Sequence, residues 1–169
     1  TKASSREAIQ ALNALGIGTV MLTGDNPATA QAIAAQVGIG EVRANLLPQD
    51  KLEAIEALRA RGAVGMVGDG INDAPALTAA TIAFGMGGAG SDTAMEAADV
   101  IVMNDDLRKL PETVRLSRRT HTVLWQNIAL ALGIKFVFLL LALFDDATMW
   151  MAVFADMGAS LLVVGNGMR

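Results

Sequence analysis

Apolar residues change their rhythm several times along this chain, and each change marks an element. From Ser5 to about Leu15 they recur at helical spacing, which predicts a helix that Gly16 ends. Residues 17–23, IGTVMLT, form a continuous apolar run that reads as a buried strand. After Gly24-Asp25-Asn26 a second helix is expected, capped by Asn26, opened by Pro27, and stopped after Val37 by Gly38. A short extended segment at Val42–Leu46 leads to a helix from Pro48 to about Arg61. Further strands are predicted at 63–67, near 81–84 and at 100–103. Helix and strand alternate, and the strands are apolar on both faces. That pattern predicts an α/β fold on a mainly parallel sheet, with ligands gathered at the carboxyl ends of the strands.

Beyond Asn104 the pattern shifts. Residues 105–120 carry Arg108, Lys109, Arg115, Arg118 and Arg119, and two apolar stretches follow at 122–144 and 147–168, each long enough to cross a bilayer as a helix. The expected organisation is a soluble α/β part over 1–106, a basic linker over 107–121 with His121 at the interface, and a two-helix transmembrane hairpin over 122–169. Basic residues before the first span and Arg169 after the second, against Asp145 and Asp146 in the turn, orient both ends inward, so the soluble part faces the cytoplasm.

The apolar tail explains why 53% of the 169 residues are hydrophobic. A net charge of −4, with no basic stripe interleaved with aromatics ahead of the tail, excludes nucleic acid as a partner and leaves membrane lipid. The absence of cysteine excludes disulfides and thiolate metal sites within these residues. The chain opens at Thr1 directly into a helical pattern, so an upstream part of the same polypeptide is expected.

Three polar features carry candidate chemistry. The predicted strand at 63–67 runs into Gly68-Asp69-Gly70-Ile71-Asn72-Asp73-Ala74-Pro75-Ala76-Leu77, which sets Asp69 and Asp73 four residues apart at a strand end. Two carboxylates with flanking glycines suit Mg²⁺, which takes one or two carboxylates together with phosphate and water oxygens. The simpler alternative is a glycine-rich turn with solvated aspartates. Thr23-Gly24-Asp25 also follows a strand and offers a hydroxyl and backbone N–H groups to phosphoryl oxygens, although alone it reads as a capped turn. Lys51 lies in the first turn of a helix, where the dipole disfavours a cation, so an anion is expected beside it: a phosphoryl group, or the neighbouring Asp50 or Glu53. Gly85-Met86-Gly87-Gly88-Ala89-Gly90 matches a dinucleotide fingerprint, but its late position and short strand favour a loop entering a helix capped by Ser91 or Asp92.

Inside the apolar stretches stand Lys135 and Asp156. Each lies about ten residues from the Asp145-Asp146 turn, or about 15 Å along a helix, so the two share a depth near the midplane. Each costs about 2.5 to 3.5 kcal/mol to insert. They either lock the hairpin by neutralising one another, or Asp156 is a ligand for a transported divalent cation with Lys135 as its counterion. Met157 reads as packing, and Gly158, Ala159, Ser160, Gly165 and Gly167 permit close helix approach.

TGDN, PQDK and GDGINDAPAL, with MGGAGSDTAMEAAD at 86–99, resemble the second-half motifs of P-type ATPases, within the haloacid-dehalogenase-like superfamily. The resemblance implies a Rossmann-like phosphorylation domain of which this is the C-terminal half, followed by the last two membrane helices. It also implies that Asp69 and Asp73 hold Mg²⁺, that Thr23 and Lys51 contact the phosphoryl group, and that Gly24, Asp25 and Asn72 shape the site. Asn127 to Lys135, NIALALGIK, and Asp156-Met157-Gly158 are similar to the closing helices of the zinc, cadmium and lead exporting branch rather than to those of copper pumps. The expected function is ATP-driven export of Zn²⁺, Cd²⁺ or Pb²⁺ across the plasma membrane. The family's phosphorylated aspartate, in Asp-Lys-Thr-Gly-Thr, is absent from these residues. The nucleophile, the nucleotide-binding and actuator domains and the other membrane helices are therefore expected in the rest of the polypeptide, and this segment alone is expected to be inactive. The alternatives are a membrane-tethered haloacid-dehalogenase-type phosphatase and a non-catalytic truncated product.

Overall fold

The computed structural model describes residues 3–68, 71–87, 96–144 and 149–168. They form two units, Thr1–Glu112 and Thr113–Arg169. Asp69, the residues proposed to cap a helix at Ser91 or Asp92, and the Asp145-Asp146 turn lie outside the described residues.

The first unit opens with α1 (Ala3–Ala14), which ends as Gly16 takes a φ of 76°. Strand β1 (Val20–Leu22) is followed by α2 (Pro27–Val37) and β2 (Glu41–Arg43). Asn26 Oδ1 accepts the N–H of Thr29 at 2.9 Å, and Gly38 closes α2 in the left-handed region, so both helix boundaries fall where the sequence places them. Helix α3 (Pro48–Arg59), strand β3 (Gly65–Gly68), a 3₁₀ turn (Ile71–Asp73), α4 (Ala74–Ala79), β4 (Ile82–Met86) and β5 (Val100–Val102) follow among the described residues.

Every strand pairing among the described residues is parallel, as the two-sided apolar runs predict. Among the described residues two sheets are present instead of one: β1 pairs with β2, and β3-β4-β5 form a separate three-stranded sheet. Strand β1 is also shorter than its seven-residue apolar run, because its ladder extends only as far as three-residue β2 provides partners, from Val20 opposite Glu41 to Leu22 opposite Arg43. The core sits between the larger sheet and α3 and α4: Ile55, Met66, Ala76, Leu77 and Ala83 are buried together, with Leu22 and Val64 against them. This layering fixes the loops that leave β1, β2 and β3 at the carboxyl ends of the strands.

The described residues of the second unit lie on two helices and their closing turns, the first helix starting within the first unit. Helix α5 (Lys109–Leu143) begins in what the sequence reads as a linker, because Lys, Leu, Glu and Arg are strong helix formers and Lys109 Nζ meets Glu112 Oε2 at 2.8 Å. Just ahead of it, Asp106 accepts the backbone N–H of Arg108 and both guanidinium nitrogens Nε and Nη2. These bonds from Arg108 hold the Asp106 carboxyl below the usual carboxylate range. Helix α5 has the length and hydropathy to cross a membrane. Helix α6 (Met149–Gly167) follows and contains a shorter apolar segment, Val153–Gly167.

Candidate phosphoryl and cation sites

Residues 23–25 leave β1 as a self-bonded turn. The Thr23 hydroxyl donates to Asp25 Oδ2 and accepts the Asp25 N–H, each at 3.1 Å. The loop leaving β2 is zipped onto this turn: Asn45 N–H donates to the Asp25 carbonyl at 2.8 Å and Leu46 N–H to the Thr23 carbonyl at 3.0 Å. Asn45 reaches that position with a φ of 56°, a region Asn tolerates better than most residues. Gly24 eases the approach, since a Cβ there would lie a tight 3.3 Å from the Leu46 carbonyl oxygen. Leu47 then leads into α3, where its N–H donates to Asp50 Oδ2 at 2.8 Å, as in one half of a capping box.

One turn into α3, Lys51 Nζ donates to Asp73 Oδ1 at 2.8 Å, with the two side chains only 18% and 14% exposed. The anion expected beside Lys51 is thus Asp73, 22 residues away in sequence, and neither Asp50 nor Glu53. Asp50 is engaged by the backbone at the start of its own helix, which removes the nearer candidate. Asp73 closes the 3₁₀ turn behind β3, and its Oδ2 faces the backbone of Gly68, where a Cβ would lie 3.3 Å from Oδ2 and 3.0 Å from Asp73 Cβ. The side chains of Asp73 and Leu77 thus crowd the volume that a side chain at Gly68 would enter.

A continuous chain of contacts thus links Thr23, Gly24 and Asp25 through Asn45 and Leu46 to α3, Lys51 and Asp73. Asn72 is exposed on the same turn as Asp73, while Asp69 is outside the described residues. One Asp73 oxygen is tied to Lys51 and the other is directed at a side-chain-free strand end. That donor set suits a hard cation that takes few protein carboxylates and completes its shell with phosphate and water.

In the second unit, Lys135 Nζ on α5 stands 3.8 Å from Asp156 Oδ1 on α6. Each side chain is 68% exposed within the chain, so the pair is open on its outer side. Ser160, one turn after Asp156, donates its hydroxyl to the Asp156 carbonyl at 2.9 Å. At the other end of α6, Asn166 Nδ2 donates to Asn127 Oδ1 at 2.8 Å and to Gln126 Oε1 at 3.4 Å. Hydropathy singles out the two charges and passes over these three amides, although an amide within an apolar stretch is itself a signal. His121 accepts the indole N–H of Trp125 at 3.1 Å.

Comparison with known proteins gives a consistent picture. A family model described as haloacid dehalogenase-like hydrolase matches residues 1–81. The chain is 57% identical over 170 residues to a probable cadmium-transporting ATPase of Listeria monocytogenes, covering 99% of this chain and 24% of that protein. It is 47% identical to the zinc/cadmium/lead-transporting P-type ATPase of Escherichia coli (strain K12), covering 99% of this chain and 23% of the relative. A crystal structure of a zinc-transporting PIB-type ATPase in the E2.Pi state superposes with a TM-score of 0.94 at 47% identity, over 99% of this chain and 28% of that one. The chain spans about a quarter of the length of the curated relatives it matches.

Proposed function

The chain belongs to the P-type ATPases and corresponds to their C-terminal region, and from that premise we propose that it forms part of a plasma-membrane exporter of divalent heavy-metal cations. The substrates proposed are Zn²⁺, Cd²⁺ and Pb²⁺. The observation that carries this reading is the Lys135–Asp156 pair, an ammonium 3.8 Å from a carboxylate on two apolar helices. Charges in membrane helices are costly and face bundle interiors or ion pathways, so a pair left 68% exposed by its own two helices calls for further protein around it. Asp156 then ligates the transported cation, and Lys135 takes its place as partner when the cation departs. The remaining ligands come from other helices of the same polypeptide.

The first unit, which we read as cytoplasmic because basic residues precede the first span, has phosphoryl handling as its proposed work. Asp73, together with Asp69, holds Mg²⁺, which supplies charge neutralisation at phosphoryl oxygens when bound. Lys51 orients Asp73 through their 2.8 Å contact and adds positive charge beside the site. Thr23 offers a hydroxyl from a turn made rigid by its own bonds to Asp25, Gly24 lets the neighbouring loop approach, and Asn72 lies exposed at the rim. The aspartate that becomes phosphorylated, and the domains that bind ATP and drive dephosphorylation, belong to the rest of the polypeptide, since no Asp-Lys-Thr-Gly-Thr occurs here.

The substrate class is tested by ATPase assays on the full-length protein with Zn²⁺, Cd²⁺, Pb²⁺ and Cu⁺. Stimulation by the three divalent ions and none by Cu⁺ is expected. Selective stimulation by Cu⁺ would reject the assignment.

A further inference from the structure

We propose that Asn127 and Asn166 form a register clasp between α5 and α6, which sets the depth at which Lys135 meets Asp156. The inference rests on the reading of that ion pair as part of a cation site.

Over the apolar part of α5, from Val123 onward, the positions with reduced exposure are Val123, Asn127, Ala131, Ile134, Phe138 and Leu141. Their three- and four-residue spacing defines one face of the helix. On α6 the corresponding positions include Ala155, Gly158, Ala159, Val163 and Asn166. Asn127 and Asn166 therefore lie within these inner faces and hydrogen-bond to each other at 2.8 Å. Lys135 and Asp156 fall outside both sets and remain mostly exposed.

The other residues on these faces are apolar and several are small. In lipid such surfaces gain little from one register over another, because hydrocarbon solvates them nearly as well as a neighbouring helix does. A polar amide pair differs, since slipping one helix by a turn of about 5.4 Å removes both partners at once. Gln126 reinforces the selectivity as a second acceptor for the same Asn166 amide, at 3.4 Å.

The clasp lies eight residues from Lys135 along α5 and ten from Asp156 along α6, roughly 12 and 15 Å at the helical rise. It is therefore remote from the cation and acts on the site through helix register. At 3.8 Å the Lys135–Asp156 contact is an ion pair just beyond direct hydrogen-bond distance, so a small axial shift decides whether that bond can form. A fixed point at one end lets the ion pair open and close without loss of alignment. Asn127 and Asn166 are thus positioning residues.

The test uses the full-length protein in membranes. Asn166→Ala and Asn127→Ala are each expected to raise the Zn²⁺ concentration for half-maximal ATPase stimulation by about three-fold, the typical effect of one interhelical hydrogen bond. Asn166→Ser, which keeps a donor, recovers part of the loss. In a Lys135→Ala background the Asn166→Ala shift should vanish, because the contact it aligns is gone. An undiminished shift in that background, or wild-type behaviour of both alanine variants, overturns the proposal. A second measurement is independent of turnover: Asn127→Cys with Asn166→Cys should join through a short thiol-to-thiol crosslinker, whereas the control pair Asn127→Cys with Leu162→Cys, one turn away, should not. Equal joining of the two pairs also overturns it. Should the unmodified protein show no metal-stimulated ATPase at all, the transport reading fails, while the crosslinking result still decides the clasp.

Discussion

Gly68 and Asp73 show how tightly single residues are determined at the strand end. A methyl group at Gly68 would sit 3.0 Å from Asp73 Cβ and 3.2 Å from Leu77 Cδ1, and Leu77 is only 1% exposed. Both contacts are closer than side-chain carbons ordinarily approach, so the neighbours would have to shift. Gly68→Ala should therefore destabilise the first unit by about 1 to 3 kcal/mol, as overpacking does. The thermal midpoint of the solubilised full-length protein should fall accordingly, and an unchanged midpoint would contradict the contact. The sequence reveals that Lys51 needs an anion, since a cation in a first helical turn opposes the dipole. It does not reveal which one, because local inspection reaches Asp50 and Glu53, whereas the true partner arrives from another loop through the packing of α3 on α4. The amides Asn127 and Asn166 were obscured for a different reason: within a window of strong hydropathy two neutral polar residues hardly alter the average, and only the pairing of two helices gives them meaning.

At the scale of elements, local chemistry is most legible where one residue type decides a boundary. All four prolines, Pro27, Pro48, Pro75 and Pro111, fall in the first turn of a helix, where a missing N–H has no intrahelical partner to lose. Asn26 opens α2 through its side-chain oxygen, and Gly38 closes it in the left-handed backbone conformation that a residue without a side chain adopts freely. Replacing Asn26 by Ala should cost about 1 kcal/mol, with Asn26→Asp close to neutral, in denaturant melts of the full-length protein. Equal stability of the alanine variant and the parent would show that the cap contributes nothing. Strand lengths and sheet membership were less legible. An apolar run reports burial, but β1 is only as long as β2 allows, and the separation of β1-β2 from β3-β4-β5 depends on pairings that no local pattern encodes. The start of α5 at Lys109 follows from helix propensity in a charged stretch that hydropathy alone assigns to a linker.

Across the whole molecule, the two units divide one proposed task. The first gathers a threonine hydroxyl, a lysine and a carboxylate at the ends of parallel strands, and the second holds a charged pair between apolar helices. Neither unit completes a pump, and the chain covers about a quarter of the relatives that do carry the name of transporters. What joins the units functionally is the claim that Asp156 receives the exported cation. The direct measurement is Zn²⁺- and Cd²⁺-stimulated ATP hydrolysis by the full-length protein carrying Asp156→Ala, with nucleotide binding monitored in parallel. Loss of metal stimulation with nucleotide binding intact is the predicted result, and full metal-dependent turnover by the variant would contradict it.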